Sequence, residues 1–593
     1  MEDPDAHLPL IVADLLLIHP PAFFDFRERR DIYFPYLSTS GDVPITPLYE
    51  YFPLGFKSLQ RILSDQGHDV RIINLASVLL KYPKIDVSSL FRSIKVRLFG
   101  IDLHWMVHVQ GALAVAALLK RLHPETPVIF GGISSTYYAE QLIRYPCIDM
   151  VMRGYDTHAP MVQLLRAAGD ERRYHGVENL LWKASDGTII DNGFAYKPQN
   201  FSCGVDWSSL PSQSDCKGLP ILEVLSTQNA GCVYNCGWCG GSREAFRRIN
   251  NVKHSLSRKP LEEVELEFST MARISNQERH HFYAVGSYTE TRERLNFFLD
   301  QVAHSNFKSI SYEKFRLTDE ETLRKMAAAN KYTSITLSPE SHDIRISKLA
   351  GRGTYSMEEM EGWIERALDL GIYEVDVWFF VGMPEQDERS VMETVEYCGR
   401  LLTLFKGRNV IPLLCPMIPF LDPGCNFFEE PERFGYRVFY RTVEEHQRGM
   451  ERASLVHRIN YETAWLSRAD LVRVGYSALR RLTELKVEAR LYPRGVGARV
   501  CQKIDEALEF IRVVHEIDCM LEPAERQREM DKIGDEILRL NRQVFCSGVG
   551  NQAFPVLREI GGRWFDEMLW ESETLERYAE ARQPITRLAW SGP

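Results

Sequence analysis

Ala230-Gly231-Cys232-Val233-Tyr234-Asn235-Cys236-Gly237-Trp238-Cys239-Gly240-Gly241 packs three cysteines at C-x3-C-x2-C spacing into a loop bracketed by glycines. Thiolates this close in sequence can converge on one metal centre. A [4Fe–4S] cluster usually takes four cysteines, so three would leave one iron without a protein thiolate and open to a chelating molecule. Two other readings exist for such a loop. A closed zinc site wants a fourth Cys or His at short spacing, and none lies nearby; a thioredoxin-like redox pair does not require the third cysteine.

The loop follows an apolar run, Ile221 to Ser226, that opens a series of strand candidates. Phe282 to Val285, Ser309 to Tyr312, Ser334 to Leu337, Val375 to Val381 and Val410 to Leu414 continue it, with helix-like stretches such as Met357 to Leu370 between most of them. Six βα steps predict a full or partial barrel over residues 221–430, with its chemistry at the strand C-terminal ends. The cysteines fall just past the first strand.

Upstream, residues 1–184 alternate in the same way: Leu8 to Ile18, helical Leu54 to Gln66, Val70 to Ile73, Val96 to Ile101, helical Gln110 to Leu122, Val128 to Phe130 and Met150 to Met152. The alternation predicts an α/β fold, a doubly wound Rossmann-like sheet that binds its ligand outside the strand carboxyl ends. Residues 185–220, with Asp186-Gly187 and several Pro and Ser, are expected to be a linker. Beyond about residue 430 strand signals fade, and stretches such as Ser467 to Val487 and Gln502 to Leu521 predict an α-helical C-terminal domain over 431–593.

Composition narrows the class. The 593 residues are 45% hydrophobic and 26% charged, and 71 Lys and Arg against 81 Asp and Glu give a net charge of −10, which argues against nucleic acid as a partner. No run approaches the roughly 20 apolar residues of a membrane span, and the acidic start MEDPD lacks the basic region of a signal peptide, so a cytoplasmic location is expected. Twelve cysteines are too sparse for a disulfide scaffold.

The C-x3-C-x-aromatic-C motif after the first strand of a βα series resembles the radical S-adenosylmethionine superfamily. The resemblance implies Cys232, Cys236 and Cys239 as cluster ligands and Trp238 near the adenine of S-adenosylmethionine. It also implies that Gly286 and Ser287, after the second strand, meet the methionine amino group, although the usual Gly-Gly-Glu is absent. Ser338 and Glu340, after the fourth, would meet the ribose or carboxylate, and the Gly382-Met383-Pro384 turn, after the fifth, would let backbone approach the adenine. Tyr312 and Glu313, at the third strand end, are candidates to hold substrate. Pro419-Phe420-Leu421-Asp422-Pro423-Gly424 resembles a recurrent stretch of cobalamin-dependent members.

In the N-terminal region, Gly131-Gly132-Ile133-Ser134 after a strand, followed by Asp149-x-Val151-x-x-Gly154, is similar to the cobalamin-binding domain that precedes many radical S-adenosylmethionine enzymes. Adjacent glycines let backbone lie flat against a large planar ligand. No G-x-G-x-x-G follows the first strand, which argues against a dinucleotide. Methionine-synthase-like domains carry Asp-x-His-x-x-Gly after that strand. Here Asp25-Phe26-Arg27 stands instead, and Asp102-x-His104 occurs only later, so His104 is a candidate contact to cobalamin.

Together these resemblances imply a C-methyltransferase that takes a methyl group from S-adenosylmethionine, through cobalamin, to an unactivated or heteroaromatic carbon of a small-molecule substrate. An electron donor such as flavodoxin or ferredoxin is implied, with 5′-deoxyadenosine and S-adenosylhomocysteine as products. Whole-chain texture, including Phe99 to Trp105, is similar to members of antibiotic pathways that methylate a heteroaromatic ring such as pyrrole or indole. Two alternatives use the same domains: ring closure or rearrangement without methyl transfer, and a non-catalytic cobalamin or iron–sulfur sensor.

Overall fold

Ile11–His19 (β1) is buried from Leu15 onward, as a strand of a parallel sheet covered on both faces must be. In the computed structural model the described residues are 11–38, 44–45, 54–82, 84–209, 222–273, 280–285, 291–305, 307–415, 421–492 and 494–546. Val70–Asn74 (β2), Ile94–Asp102 (β3), Val128–Gly131 (β4) and Met150–Met152 (β5) join β1 in the parallel order β2-β1-β3-β4-β5. This doubly wound order reverses between β1 and β3 and leaves a crevice at their carboxyl ends.

Leu180–Lys183 (β6) and Ile189–Asp191 (β7) extend the sheet antiparallel. The expected linker therefore loses its first residues to the sheet. Asp186-Gly187 is the turn of a hairpin, in which Gly187 N–H donates to the Ala184 carbonyl and Ala184 N–H to that of Thr188.

Leu222–Thr227 (β8), His280–Val285 (β9), Ser309–Lys314 (β10), Thr333–Glu340 (β11), Glu374–Phe380 (β12) and Val410–Cys415 (β13) form a second sheet, parallel throughout and in sequence order. With β8 and β13 at its edges this is a partial βα barrel. Strand alternation sorts its side chains. Phe282 packs on Phe268 and Phe298 of the covering helices, and in register with Phe282 and Ala284 stand Ile310 and Tyr312, which therefore share that outer face. Ser309, Ser311 and Glu313 point the other way, into the barrel.

Helices Arg468–Glu488, Arg494–Asp518 and Pro523–Cys546 make the C-terminal region helical. Tyr436–Val438 and Tyr461–Thr463 add a small antiparallel ribbon that the fading strand signal hid. One apolar core runs from the barrel strands into these helices, and two others pack the two faces of the N-terminal sheet. No helix is long and apolar enough to cross a membrane among the described residues.

Candidate active site

The cysteine loop is clamped from three directions. Ser255 carbonyl accepts from Cys232 N–H, Ala350 carbonyl from Gly237 N–H, and Gly237 carbonyl from Phe427 N–H. Gly237 and Gly351 are required by contact: a Cβ on the first would collide with the Phe427 ring, and on the second with the Asn235 carbonyl. Asp422 closes the far side, accepting from Gly240 N–H at 2.9 Å. Its own carboxyl is pushed up to about 6 by burial.

Each sulfur accepts an N–H. Tyr234 N–H points to Cys232 Sγ at 3.4 Å, Arg352 Nε to Cys236 Sγ at 2.9 Å, and Gly241 N–H to Cys239 Sγ at 3.3 Å. None of the three cysteines is in a disulfide. Burial pushes the Cys236 and Cys239 thiols up, and the neighbouring thiols push both further. A bound cation reverses that preference, because a coordinated thiol is deprotonated. Three thiols on one short loop, each supplied with a donor, are the chemistry an iron–sulfur cluster needs, and the residues fit it.

Arg352 also lies 3.3 Å from Glu340, a wholly buried carboxyl at the bulged end of β11, and donates to the Ser338 carbonyl. Burial raises Glu340 to about 7 against the pull of Arg352. Ser338 and Glu340 thus stand beside the cysteine loop. Trp238 packs against Phe380 at the end of β12, with ring centroids 5.7 Å apart.

Other expected residues stand differently. Gly286 and Ser287, and Pro419 and Phe420, lie outside the described residues. Tyr312 is a correction: it faces the helices inside the apolar core, its hydroxyl without a partner among the described residues, and it is not at the barrel mouth. Glu313, half-buried, points inward. The Gly382 turn is buried. Gln386 Oε1 accepts from its N–H at 2.8 Å, its carbonyl accepts from Tyr436 Oη at 2.7 Å, and a Cβ there would meet Tyr461. Close protein packing accounts for Gly382, and Pro384 is buried beside it.

At the first sheet, the expected residues share the carboxyl edge. Gly132 adopts φ +106, and a Cβ there would lie 2.8 Å from the Leu103 carbonyl oxygen, whereas a Cβ on Gly131 would meet nothing within 4 Å. Ser134 Oγ donates to the His104 carbonyl at 2.9 Å, and Thr136 Oγ1 links the Gly132 carbonyl to Gly154 N–H. His104 is exposed at this edge. Behind it, burial would raise the Asp102 carboxyl, but His19, His108 and His104 hold it below its ordinary value; His19 Nδ1 lies 3.0 Å from it. The open surface over Gly131, with a histidine beside it, fits a flat macrocycle. Asp149 sits at the opposite end of its strand and accepts from Val128 N–H, a structural role.

The two edges meet. The helix after Gly132, Ile133–Tyr137, packs against Arg243–Asn250, the helix that follows the cysteine loop. Tyr137 Oη donates to Glu429 at 2.7 Å, and Arg248 donates to the Gly424 carbonyl. Arg352 and the donor role of Gly241 were not anticipated from sequence, nor was the contact of Asp422 with the cysteine loop; the Gly351-Arg352-Gly353 triplet after helix Ile344–Leu349 was the available signal for the first.

Residues 42–162 match the family model described as B12 binding domain, and residues 229–398 the one described as Radical SAM superfamily. Among solved structures, the radical S-adenosylmethionine methyltransferase TsrM from Kitasatospora setae, with cobalamin and [4Fe-4S] cluster bound, is 15% identical with a TM-score of 0.51, over 84% of this chain and 99% of that one. The cobalamin-dependent S-adenosylmethionine radical enzyme OxsB, with aqua-cobalamin bound, is 12% identical with a TM-score of 0.52, over 96% of this chain and 84% of that one. At such identities the likeness is one of fold. No curated protein matches.

Proposed function

This chain joins a B12 binding domain to a radical SAM superfamily domain, and on that premise we propose that it methylates an unactivated or heteroaromatic carbon of a small molecule, with S-adenosylmethionine as methyl source. The observation that carries the reading is the set of three N–H donors, one to each cysteine sulfur, in a loop packed against the helix that leaves the Gly131-Gly132 edge. When bound, a [4Fe–4S] cluster supplies the electron that cleaves S-adenosylmethionine, and cobalamin supplies the methyl carrier.

The chain's own residues hold and shield. Arg352 sets a cation beside Cys236 and Glu340, Trp238 walls the loop against Phe380, and the Gly131-Gly132 edge with His104 offers the flat surface. Glu313 and Ser338, facing the barrel mouth side of β10 and β11, are the proposed contacts to substrate and S-adenosylmethionine. A natural-product substrate and a flavodoxin- or ferredoxin-type donor belong to the same proposal.

The test is anaerobic reconstitution with iron, sulfide and hydroxocobalamin, followed by incubation with S-adenosylmethionine, a reductant and indole or pyrrole substrates. Formation of S-adenosylhomocysteine together with a methylated product supports the reading. Deoxyadenosine without homocysteine transfers it to the ring-closure class, and no cleavage of S-adenosylmethionine at all overturns it.

A further inference from the structure

Far from the cysteine loop, the C-terminal end of helix Arg494–Asp518 brings His515 and Cys519 to the short helix Leu455–Arg458, which carries His457. One ligand atom from each of the three lies within 4.8 Å of the others. Cys519 Sγ is 3.9 Å from His457 Nε2 and 3.7 Å from His515 Nε2, and the two imidazole centroids are 4.8 Å apart. Tetrahedral zinc, with Zn–S near ~2.3 Å and Zn–N near ~2.0 Å, holds its ligand atoms at about this spacing.

The tautomer of His457 is set for coordination. Its Nδ1 lies 2.6 Å from Asp518 Oδ2, and Asp518 is buried. Arg452 NH2 is 3.1 Å from the same nitrogen but donates to the Asp518 carbonyl at 2.8 Å, and its Nε donates to the Asp518 carboxylate. Nδ1–H therefore belongs to Asp518, which leaves the Nε2 lone pair facing Cys519. A carboxylate orienting a histidine in this way is the recurrent outer support of metal ligands. The other nearby cation, Arg468, is stacked on Phe439. His515 presents both nitrogens nearly equidistant from the sulfur, so a turn about its soft χ2 brings one of them into line.

We propose that His457, His515 and Cys519 form a binding site for a divalent cation of the zinc class, oriented by Asp518, that pins the end of helix Arg494–Asp518 to the segment at Leu455–Arg458. Two imidazoles and a thiolate suit borderline-soft Zn²⁺ and not Mg²⁺ or Ca²⁺. Three protein ligands leave a fourth position for water.

The experiment uses the full chain with its iron–sulfur centre reconstituted, loaded with Zn²⁺ and freed of excess by gel filtration. Zinc and iron are then measured together by plasma mass spectrometry. The expected result is about one zinc per chain beyond the iron, falling at least tenfold in Cys519→Ala and in His515→Gln with iron unchanged, and a melting temperature raised by Zn²⁺ in the wild type only. Cys519 is exposed, so Cys519→Ala decides alone if His515→Gln also loses iron and so reports misfolding. Wild-type protein with no more zinc than Cys519→Ala overturns the proposal, as does zinc equal to wild type in a variant carrying both Cys519→Ala and His515→Gln.

Discussion

Arg352 Nε donates to Cys236 Sγ across 2.9 Å, joining the bulged end of β11 to the middle cysteine of the loop. The same guanidinium faces the buried Glu340 and stacks on the Phe315 ring at 3.7 Å. One cation thus serves a buried sulfur, a buried carboxylate and an aromatic face.

Removing that cation strands the carboxylate. Breaking a buried ion pair from one side costs about 3–5 kcal/mol, so Arg352→Leu is expected to lower thermal stability and the iron retained after reconstitution. Arg352→Leu with Glu340→Gln is expected to recover much of the stability but not the iron, because Cys236 still lacks its donor. Melting curves and iron assays on the four proteins of this cycle check both statements. Equal iron in the single variant and wild type would show that the donor to Cys236 is dispensable.

Gly351 and Gly362 separate contact from propensity. Gly351 has φ +94 and abuts the Asn235 carbonyl, while Gly362 lies in helix Met357–Asp369 with nothing within 4 Å of a Cβ. Gly351→Ala is expected to displace the cysteine loop and cut iron content severalfold. Gly362→Ala is expected to stabilise the chain by about 0.5–1 kcal/mol with iron unchanged. Iron assays and melting temperatures of the two variants decide it.

Local signals were readable and long-range ones were not. The cysteine spacing, the strand ends and the glycine pair are statements about adjacent residues, and the structure keeps them at the carboxyl edges of the two sheets. Arg352 and Asp422 reach the loop from 116 and 182 residues away, and their proximity exists only once β11 and β13 are in register. Tyr312 was misjudged because its face depends on its neighbours: pairing with Ala284 and Ile335 turns it to the helices and turns Glu313 inward. Gly382-x-Pro384 is a turn that a ligand or another part of the protein can approach, and here Tyr461 does. Asp186-Gly187 reads equally as linker or hairpin until a strand is found on each side.

Acid should weaken the seam between the first domain and the segment after the barrel. His446 is buried among Tyr138, Phe428 and Tyr440, with neither ring nitrogen partnered among the described residues. Burial lowers it from 6.5 to about 3. A folded value below the unfolded one means that the unfolded chain binds more protons between those limits. Stability is therefore lost as pH falls below about 6.5, by about 1.4 kcal/mol per unit for this group. His446→Leu is expected to shrink the drop in melting temperature between pH 7.5 and pH 5.5. An unchanged drop would mean that His446 is not the group that titrates.

Gly131 offers a way to close the first sheet's edge without unfolding it. It ends β4, its carbonyl accepts from Leu103 N–H at 2.8 Å, and its missing side chain would enter open space. Gly131→Leu keeps that hydrogen bond and ordinary strand geometry, so the melting temperature of the cobalamin-free protein should move little. The new side chain would occupy the volume over the flat backbone where a corrin would lie. Cobalamin retained after gel filtration should fall at least tenfold, while cluster iron stays at the wild-type level. Gly132→Ala is the contrasting case: φ +106 and the Leu103 carbonyl at 2.8 Å strain the backbone itself, so it should lose stability and cobalamin together. Full cobalamin retention in a well-folded Gly131→Leu protein would place the corrin elsewhere and detach the Gly131-Gly132 edge from the site.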